Sequence, residues 1–186
     1  MSDVIVIGDG PGGLSAALFL AKGGLAVTVY GQDKTAMHWA LVKNYLGLPE
    51  IHGSAFQKTA RAQVEALGAK LVDARVESVS PSGSGFEVTL ENGEKASARF
   101  VVLNEGKVPR LAVQLGVAGA DGTAGVTVDL NGRTSVDGAY AVGRLVRPER
   151  SQAIISAGDG AAVALDILST VRGAPVQDWD SPPKEK

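Results

Sequence analysis

A short apolar run meets a cluster of glycines at the start of the chain, "DVIVIGDGPGGLSAALFLA". Asp3 to Ile7 reads as a buried strand, apolar and β-branched. The turn Gly8-Asp9-Gly10-Pro11-Gly12-Gly13 follows, and Leu14 to Ala21 is apolar all round, as a buried helix would be. Gly23-Gly24 ends that helix, and Leu25 to Tyr30 is the next apolar strand. The spacing predicts a βαβ unit within about 30 residues, which commits the chain to a parallel sheet with a helix packed across it.

Gly8, Gly10 and Gly13 have dinucleotide spacing, with Gly12 between them. Gly8 allows the sharp turn off the strand, Gly10 lets backbone approach a pyrophosphate, and Gly13 lets the helix sit close to the strands. The helix N–H groups and positive dipole end then face the diphosphate. Pro11 fits the first turn, where its missing N–H costs nothing. The alternative is a glycine turn with a structural role alone. An acid commonly follows about 20 residues later and binds the ribose hydroxyls. Here the second strand ends "VTVYGQDK", with Tyr30 and Gly31 in that place and Gln32 and Asp33 just beyond. Asp33 is either the ribose acid or a turn carboxylate. Lys34 either meets a ribose phosphate or is a surface lysine.

Composition narrows the chemistry. The chain has 186 residues, 45% hydrophobic and 20% charged, with a formal net charge of −2. That profile is ordinary for a globular protein, and it carries no broad basic surface for nucleic acid or anionic membrane. No basic stretch precedes an apolar one in "MSDVIVIG", so no leader peptide is expected and the cytoplasm is the expected location. No uninterrupted apolar run is long enough to cross a bilayer. With no cysteine there is no disulfide, thiolate nucleophile or CxxC. With only His38 and His52, no metal site is expected.

Further along, residues 31–52 read as irregular, Ala55 to Leu67 as a helix capped by Gly68, and "AKLVDARVESVS" as one or two strands. "PSGSG" reads as a turn, and "FEVTLENGEKASARFVVL" as a strand, an Asn-Gly hairpin and another strand. "GVAGADGTAG" is a connector, while "VTVDLNGRTS" and "GAYAVG" read as short strands around a turn. Ser151 to Arg172 is a long apolar helix stopped by Gly173 and Pro175. The tail "VQDWDSPPKEK" is polar, with Trp179 a candidate to dock.

Residues spread over most of this pattern resemble the thioredoxin-reductase type of FAD-dependent pyridine nucleotide oxidoreductase. "VIVIGDGPGGLSAA" is similar to that family's GxGPAG turn. "KNYLGLPE", with Asn44, resembles the segment passing near the flavin, and "GAKLVDARVESV", with Val76, the strand whose backbone meets the adenine. "LNEGKVPR" stands where the family has Ala-Thr-Gly, as Asn104-Glu105-Gly106, and "GRTSVDGAYAVG" resembles the segment before the family's Gly-Asp, here Gly143-Arg144. "SQAIISAGDGAAVALDIL" resembles the Gln-Ala start of the last helix, whose N–H groups near Gln152, Ala153 and Ile154 face the flavin. In the family, a nicotinamide domain with a CxxC separates the last two FAD segments; here Lys107 to Gly125 stands in its place as a linker.

The resemblance implies an α/β, three-layer FAD-binding Rossmann-type fold, with a central parallel sheet and an inserted antiparallel β-meander. The expected domain spans residues 1–175, followed by a polar tail over 176–186. FAD is the implied cofactor, electrons coming from NAD(P)H or a redox partner protein and leaving to an unspecified acceptor, with a homodimer as the family's habit. The alternatives are an FAD-binding redox sensor or interaction module without turnover, and an NAD-binding protein without flavin. Arg144 replaces a carboxylate and cannot accept hydrogen bonds; it either pairs with the pyrophosphate or points to solvent. No catalytic residue stands out. His38 and His52 are weak candidates, Trp39 and Tyr45 either stack near the ring or pack, Asp159 suits the helix N-terminal dipole, and Arg147, Glu149 and Arg150 read as a solvated charged loop that could gate the site.

Overall fold

The computed structural model describes residues 2–119 and 125–182. Strand β1 (Ser2–Ile7) lies inside a seven-stranded sheet. On one side it pairs in parallel with β2 (Val27–Gly31), which pairs in parallel with β5 (Lys70–Asp73). On the other side it pairs in parallel with β8 (Lys95–Leu103). Both faces of β1 are covered, so its residues are apolar without a break. Val4 and Val6 point into one core, with Leu14, Val29, Val102, Val163 and Ile167, and Ile5 and Ile7 into the other, with Phe86, Val88, Val101, Leu103 and Leu111.

β8 has two partners on its far edge. Its first half, Lys95 to Ala98, pairs antiparallel with β7 (Gly85–Leu90), and its second half, Val101 to Leu103, pairs parallel with β9 (Ala139–Ala141). β7 continues antiparallel into β6 (Val76–Ser82), completing the meander predicted from the Asn-Gly hairpin. The turn between β6 and β7 is tighter than "PSGSG" suggests. Pro81 pairs with Phe86 and Ser82 with Gly85, leaving Gly83 and Ser84 as a two-residue loop with Gly83 at φ 58°.

The helical layer holds α1 (Pro11–Lys22), α2 (Gly53–Ala66) and α4 (Ala153–Arg172). α1 and α4 approach backbone to backbone where Gly160 meets Gly12: a Cβ on Gly160 would lie 2.9 Å from Ala16 N. The buried residues of α4 (Ser156, Gly160, Val163, Ala164, Ile167 and Leu168) recur at helical spacing. Burying a side chain such as Ile167 stabilises the fold by about 1.5–3 kcal/mol. α4 has a mean hydropathy of 1.5 and 20 residues, long and apolar enough for a membrane span, which the sequence reading did not anticipate. Here that length lies against α1 and the sheet, and its Asp159 and Asp166 are ion-paired.

Other expectations shift. The stretch 31–52 contains a 3₁₀ turn (Ala36–Trp39) and a two-residue hairpin of β3 (Leu41–Val42) and β4 (Ile51–His52). The linker 107–125 includes a short helix, α3 (Arg110–Gln114), and its residues 120–124 lie outside the described residues. "VTVDLNGRTS" does not become a strand. Its amides go to scattered partners (Val126 N to Leu145 O, Thr127 N to Ala118 O, Asp129 N to Arg133 O), and Asp129 Oδ1 accepts from the amides of Asn131 and Arg133 as a turn. Only a single bridge joins Arg133 to Tyr140. Arg133 also forks onto Asp166 of α4 at 2.7 and 2.9 Å, and Tyr140 Oη donates to the same carboxylate at 2.8 Å. Trp179 does not dock, being 86% exposed; the tail is held instead by Lys22, which pairs with Asp178 at 3.0 Å and with Asp180.

Candidate functional site

A cavity of about 710 Å³ opens at the carboxyl ends of β1, β2 and β8, where open α/β sheets place ligands. Two helices begin at its wall. α1 starts at Pro11 with Gly10 as N-cap, and α4 starts at Ala153 with Gln152 as N-cap; neither start receives a side-chain cap. Their first-turn amides and positive dipole ends are therefore left for whatever enters.

The glycines divide their work. Gly8, at φ 103°, turns the chain off β1, and it lines the cavity with Gly10 and Pro11. Gly12 and Gly13 lie behind that wall. A Cβ on Gly13 would meet Val6 Cγ1 at 3.1 Å and Asn104 Nδ2 at 2.9 Å, and one on Gly12 would meet Val142 Cγ2 at 3.0 Å. Asn104 occupies the space these glycines leave, its Nδ2 donating to Gly8 O at 3.2 Å. Gly143, at φ 67°, also packs on Asn104 rather than lining the cavity.

Of the remaining sequence candidates, Tyr30, Gly31, Gln32, Asn44, Val76, Asn104, Glu105, Gly106, Arg144, Gln152 and Ala153 line the cavity; Asp33 and Ile154 do not. Asp33 adopts φ 53° and turns its carboxylate to His38 Nε2 at 3.0 Å. Asn44 donates to Gln152 Oε1 at 2.8 Å, tying the 31–52 loop to the start of α4. Glu105 faces the wall yet spends its carboxylate on the amides of Leu111 and Ala112, at 2.8 and 2.9 Å. Burial pushes that carboxyl above its ordinary range, against the pull of the two amides and of Arg110.

Charge in the cavity is lopsided. Lys34, Arg75, Lys107, Arg110 and Arg144 line it against two carboxylates, Asp9 and Glu105, although the whole chain is net negative. Arg110 is committed to the carbonyls of Val76 and Glu77, and Arg75 pairs with Glu77 at 3.3 Å. Arg144 differs: its Nε is buried without a hydrogen-bond partner. That nitrogen is an unspent donor on a residue of the cavity wall.

The histidines have local duties outside the cavity. His38 Nε2 lies 2.7 Å from Asp33 O, and His52 caps α2, accepting from Ser54 N at 3.3 Å. Trp39 is 91% exposed, and Tyr45 packs on Phe56 with ring centroids 5.7 Å apart. Asp159 lies beyond the first turn of α4. It accepts from Gly143 N at 3.2 Å and pairs with Arg147 at 3.2 Å, so the exposed charged loop is tied to α4 through Arg147. Burial raises the Asp159 carboxyl against the opposing pull of Arg147.

Sequence reasoning missed Asp9, Gln57 and Arg61. Asp9 lines the cavity, and both α2 residues reach it. Their spacing of four along a helix was the available signal.

Comparison with known proteins agrees with this fold. Residues 2–52 match the family model described as pyridine nucleotide-disulphide oxidoreductase. Thioredoxin reductase from Streptomyces coelicolor is 35% identical over 133 residues, which is 67% of this chain and 40% of that enzyme. The chain thus spans about two fifths of that relative's length. Among solved structures, a thioredoxin reductase from Gloeobacter violaceus superposes with a TM-score of 0.86 at 17% identity, over 96% of this chain and 99% of that one. A ferredoxin-flavin thioredoxin reductase from Clostridium acetobutylicum gives 0.79 at 16% identity, over 92% and 98%.

Proposed function

We propose that this chain, which is similar to thioredoxin reductases, is of the FAD-dependent oxidoreductase kind, that its cavity holds FAD, and that electrons pass through the flavin from a nicotinamide nucleotide or a partner protein to an acceptor. The observation that carries the reading is the meeting, in one cavity, of two helix starts without side-chain caps and an unpartnered Arg144 Nε. A dinucleotide has a central diphosphate and a redox ring at one end, and the site offers positive ends for both.

The residues fit the group. The uncapped α1 start, at Gly10 and Pro11, faces the diphosphate with its positive dipole end, and Arg144 adds a charged donor where the wider family carries an acceptor. The start of α4, at Gln152 and Ala153, faces the ring end and favours negative charge there by about 0.5–2 kcal/mol. The Asn44–Gln152 bond ties the 31–52 loop to that end. Bound flavin supplies the redox chemistry, and the protein supplies binding, orientation and electrostatics. With no cysteine in the chain, no dithiol relay runs through its own side chains.

The test is an absorption spectrum of the purified protein, loaded with FAD, then repeated without oxygen after NADPH and NADH. Flavin bands that bleach support turnover with diffusible nicotinamide nucleotide. Bands that persist point to reduction by a partner protein, or to a binding module. No flavin bands after loading would remove the reading.

A further inference from the structure

β2 lacks the acid that a dinucleotide turn calls for at the strand end, yet a carboxylate occupies its place. Gly31 ends β2, and a Cβ built there would lie 2.6 Å from both Cβ and Oδ1 of Asp9. That is closer than real atoms sit, so the volume a strand-end side chain would fill is already filled from the glycine turn. The Asp9 side chain is only 7% exposed.

Three residues hold Asp9. Gln57 and Arg61 lie one turn apart on α2 and grip it together: Gln57 Nε2 donates to the Asp9 carbonyl at 2.6 Å, and Arg61 Nη1 donates to Oδ2. Arg61 is aimed by its second nitrogen, which donates to Asp73 at 2.9 Å. The Asp33 amide, placed by its positive φ, donates to the same Oδ2 at 3.0 Å. Both side-chain bonds fall on Oδ2. Oδ1 accepts from no described residue, and it is not among the sealed unpartnered atoms. Asp9 and Gly31 both line the cavity.

We propose that the ribose-binding acid has moved from the end of β2 into the glycine turn, so that Asp9 Oδ1 accepts the hydroxyls of the adenosine ribose while Arg61 and the Asp33 amide hold the carboxylate in place. This rests on the FAD reading and adds to it the residue that recognises the nucleoside half. Gly31 is the enabling partner, because any side chain there collides with Asp9.

The experiment titrates the flavin-stripped protein with FAD and with FMN, followed by flavin fluorescence. FMN shares the ring and the ribityl phosphate but has no adenosine ribose. Asp9→Asn should weaken FAD by about 10-fold to 100-fold, the range for losing hydrogen bonds to a charged acceptor, and leave FMN unchanged. Gly31→Glu alone should weaken FAD, whereas Gly31→Glu with Asp9→Ala should return FAD affinity to within a few-fold of wild type, because the acid is back on the strand. The relocation is overturned if Asp9→Asn binds FAD like wild type, if FAD and FMN weaken together, or if the double variant does not recover. A wild-type protein that takes no FAD removes the underlying reading instead, so the two failures are told apart.

Discussion

Two glycines two residues apart on α4 should respond in opposite directions to the same change. Gly158 has ordinary helical backbone and open space where a Cβ would go. Gly158→Ala adds no clash and gains helix propensity, worth about 0.5–1 kcal/mol. Gly160 has the same intrinsic gain available, but its Cβ would lie 2.9 Å from Ala16 N and 3.0 Å from Gly12 C. Those are backbone atoms of α1, which cannot rotate away, so the cost lies at the upper end of the about 1–3 kcal/mol typical of overpacking. The net for Gly160→Ala is a loss of about 2 kcal/mol. At about 2–4 °C per kcal/mol for a chain of this size, thermal unfolding followed by circular dichroism should show Gly158→Ala melting a few degrees above wild type and Gly160→Ala about 4–8 °C below. Because the Gly12–Gly160 contact also sets where both helix starts sit, Gly160→Ala should lose FAD more readily while Gly158→Ala retains it. Equal and same-sign shifts in the two variants would refute the close approach of α1 and α4.

Arg144→Ala should weaken FAD binding by about 10-fold, from loss of a charge-assisted donor, with little change in the melting temperature of the unliganded protein; equal FAD affinity in a fluorescence titration would show that Arg144 faces solvent. Glu105 has a raised carboxyl, so the folded protein holds its proton longer than the unfolded chain does, and its contribution to stability is present at low pH and lost as pH rises through the raised value. Glu105→Gln should therefore gain on wild type in a melting series as pH climbs from below about 4.5, and a constant difference across that range would sink the argument. Tyr140 is pushed up to about 12, first by burial and then by its bond to Asp166. Asp166→Asn should bring the Tyr140 titration down in an ultraviolet pH series and free Arg133 from α4, visible as faster amide exchange over residues 126–135.

The N-terminal half of this architecture was legible because each local rule agreed with the global fold. Val4 to Ile7, the glycine spacing and Pro11 all specify strand, turn and helix start independently. The meander was legible from the alternation in "FEVTL" and from Asn92-Gly93, where Gly93 takes φ 83°. "VTVDL" carried a similar alternation and misled, because a strand needs an edge to pair with, and β9 is only three residues long and already joined to β8. Somewhat under half of the residues lining the cavity followed from the glycine motif and the family resemblance. Asp9 did not, because its significance depends on an absence at residue 31 and on two residues about fifty positions away. Nothing in a linear reading of "GDGPGG" separates a carboxylate folded back under the strand end from one pointing into water.

The two-sided pairing of β8 sets the order in which the chain can complete itself. As the protein is synthesised, β1, α1 and β2 can assemble early, yet β1 then presents its second edge unpaired until β8 arrives, about ninety residues later in the chain. That edge carries Val4 to Ile7, the most apolar template in the molecule and the kind of surface that recruits foreign strands. β8 closes it and at the same stroke offers its other edge to β9. Any nascent chain stalled before residue 95 is therefore an aggregation hazard, whereas one stalled after 103 has sealed β1 and leaves the short seat for β9 open beside the outer edges of β5 and β6.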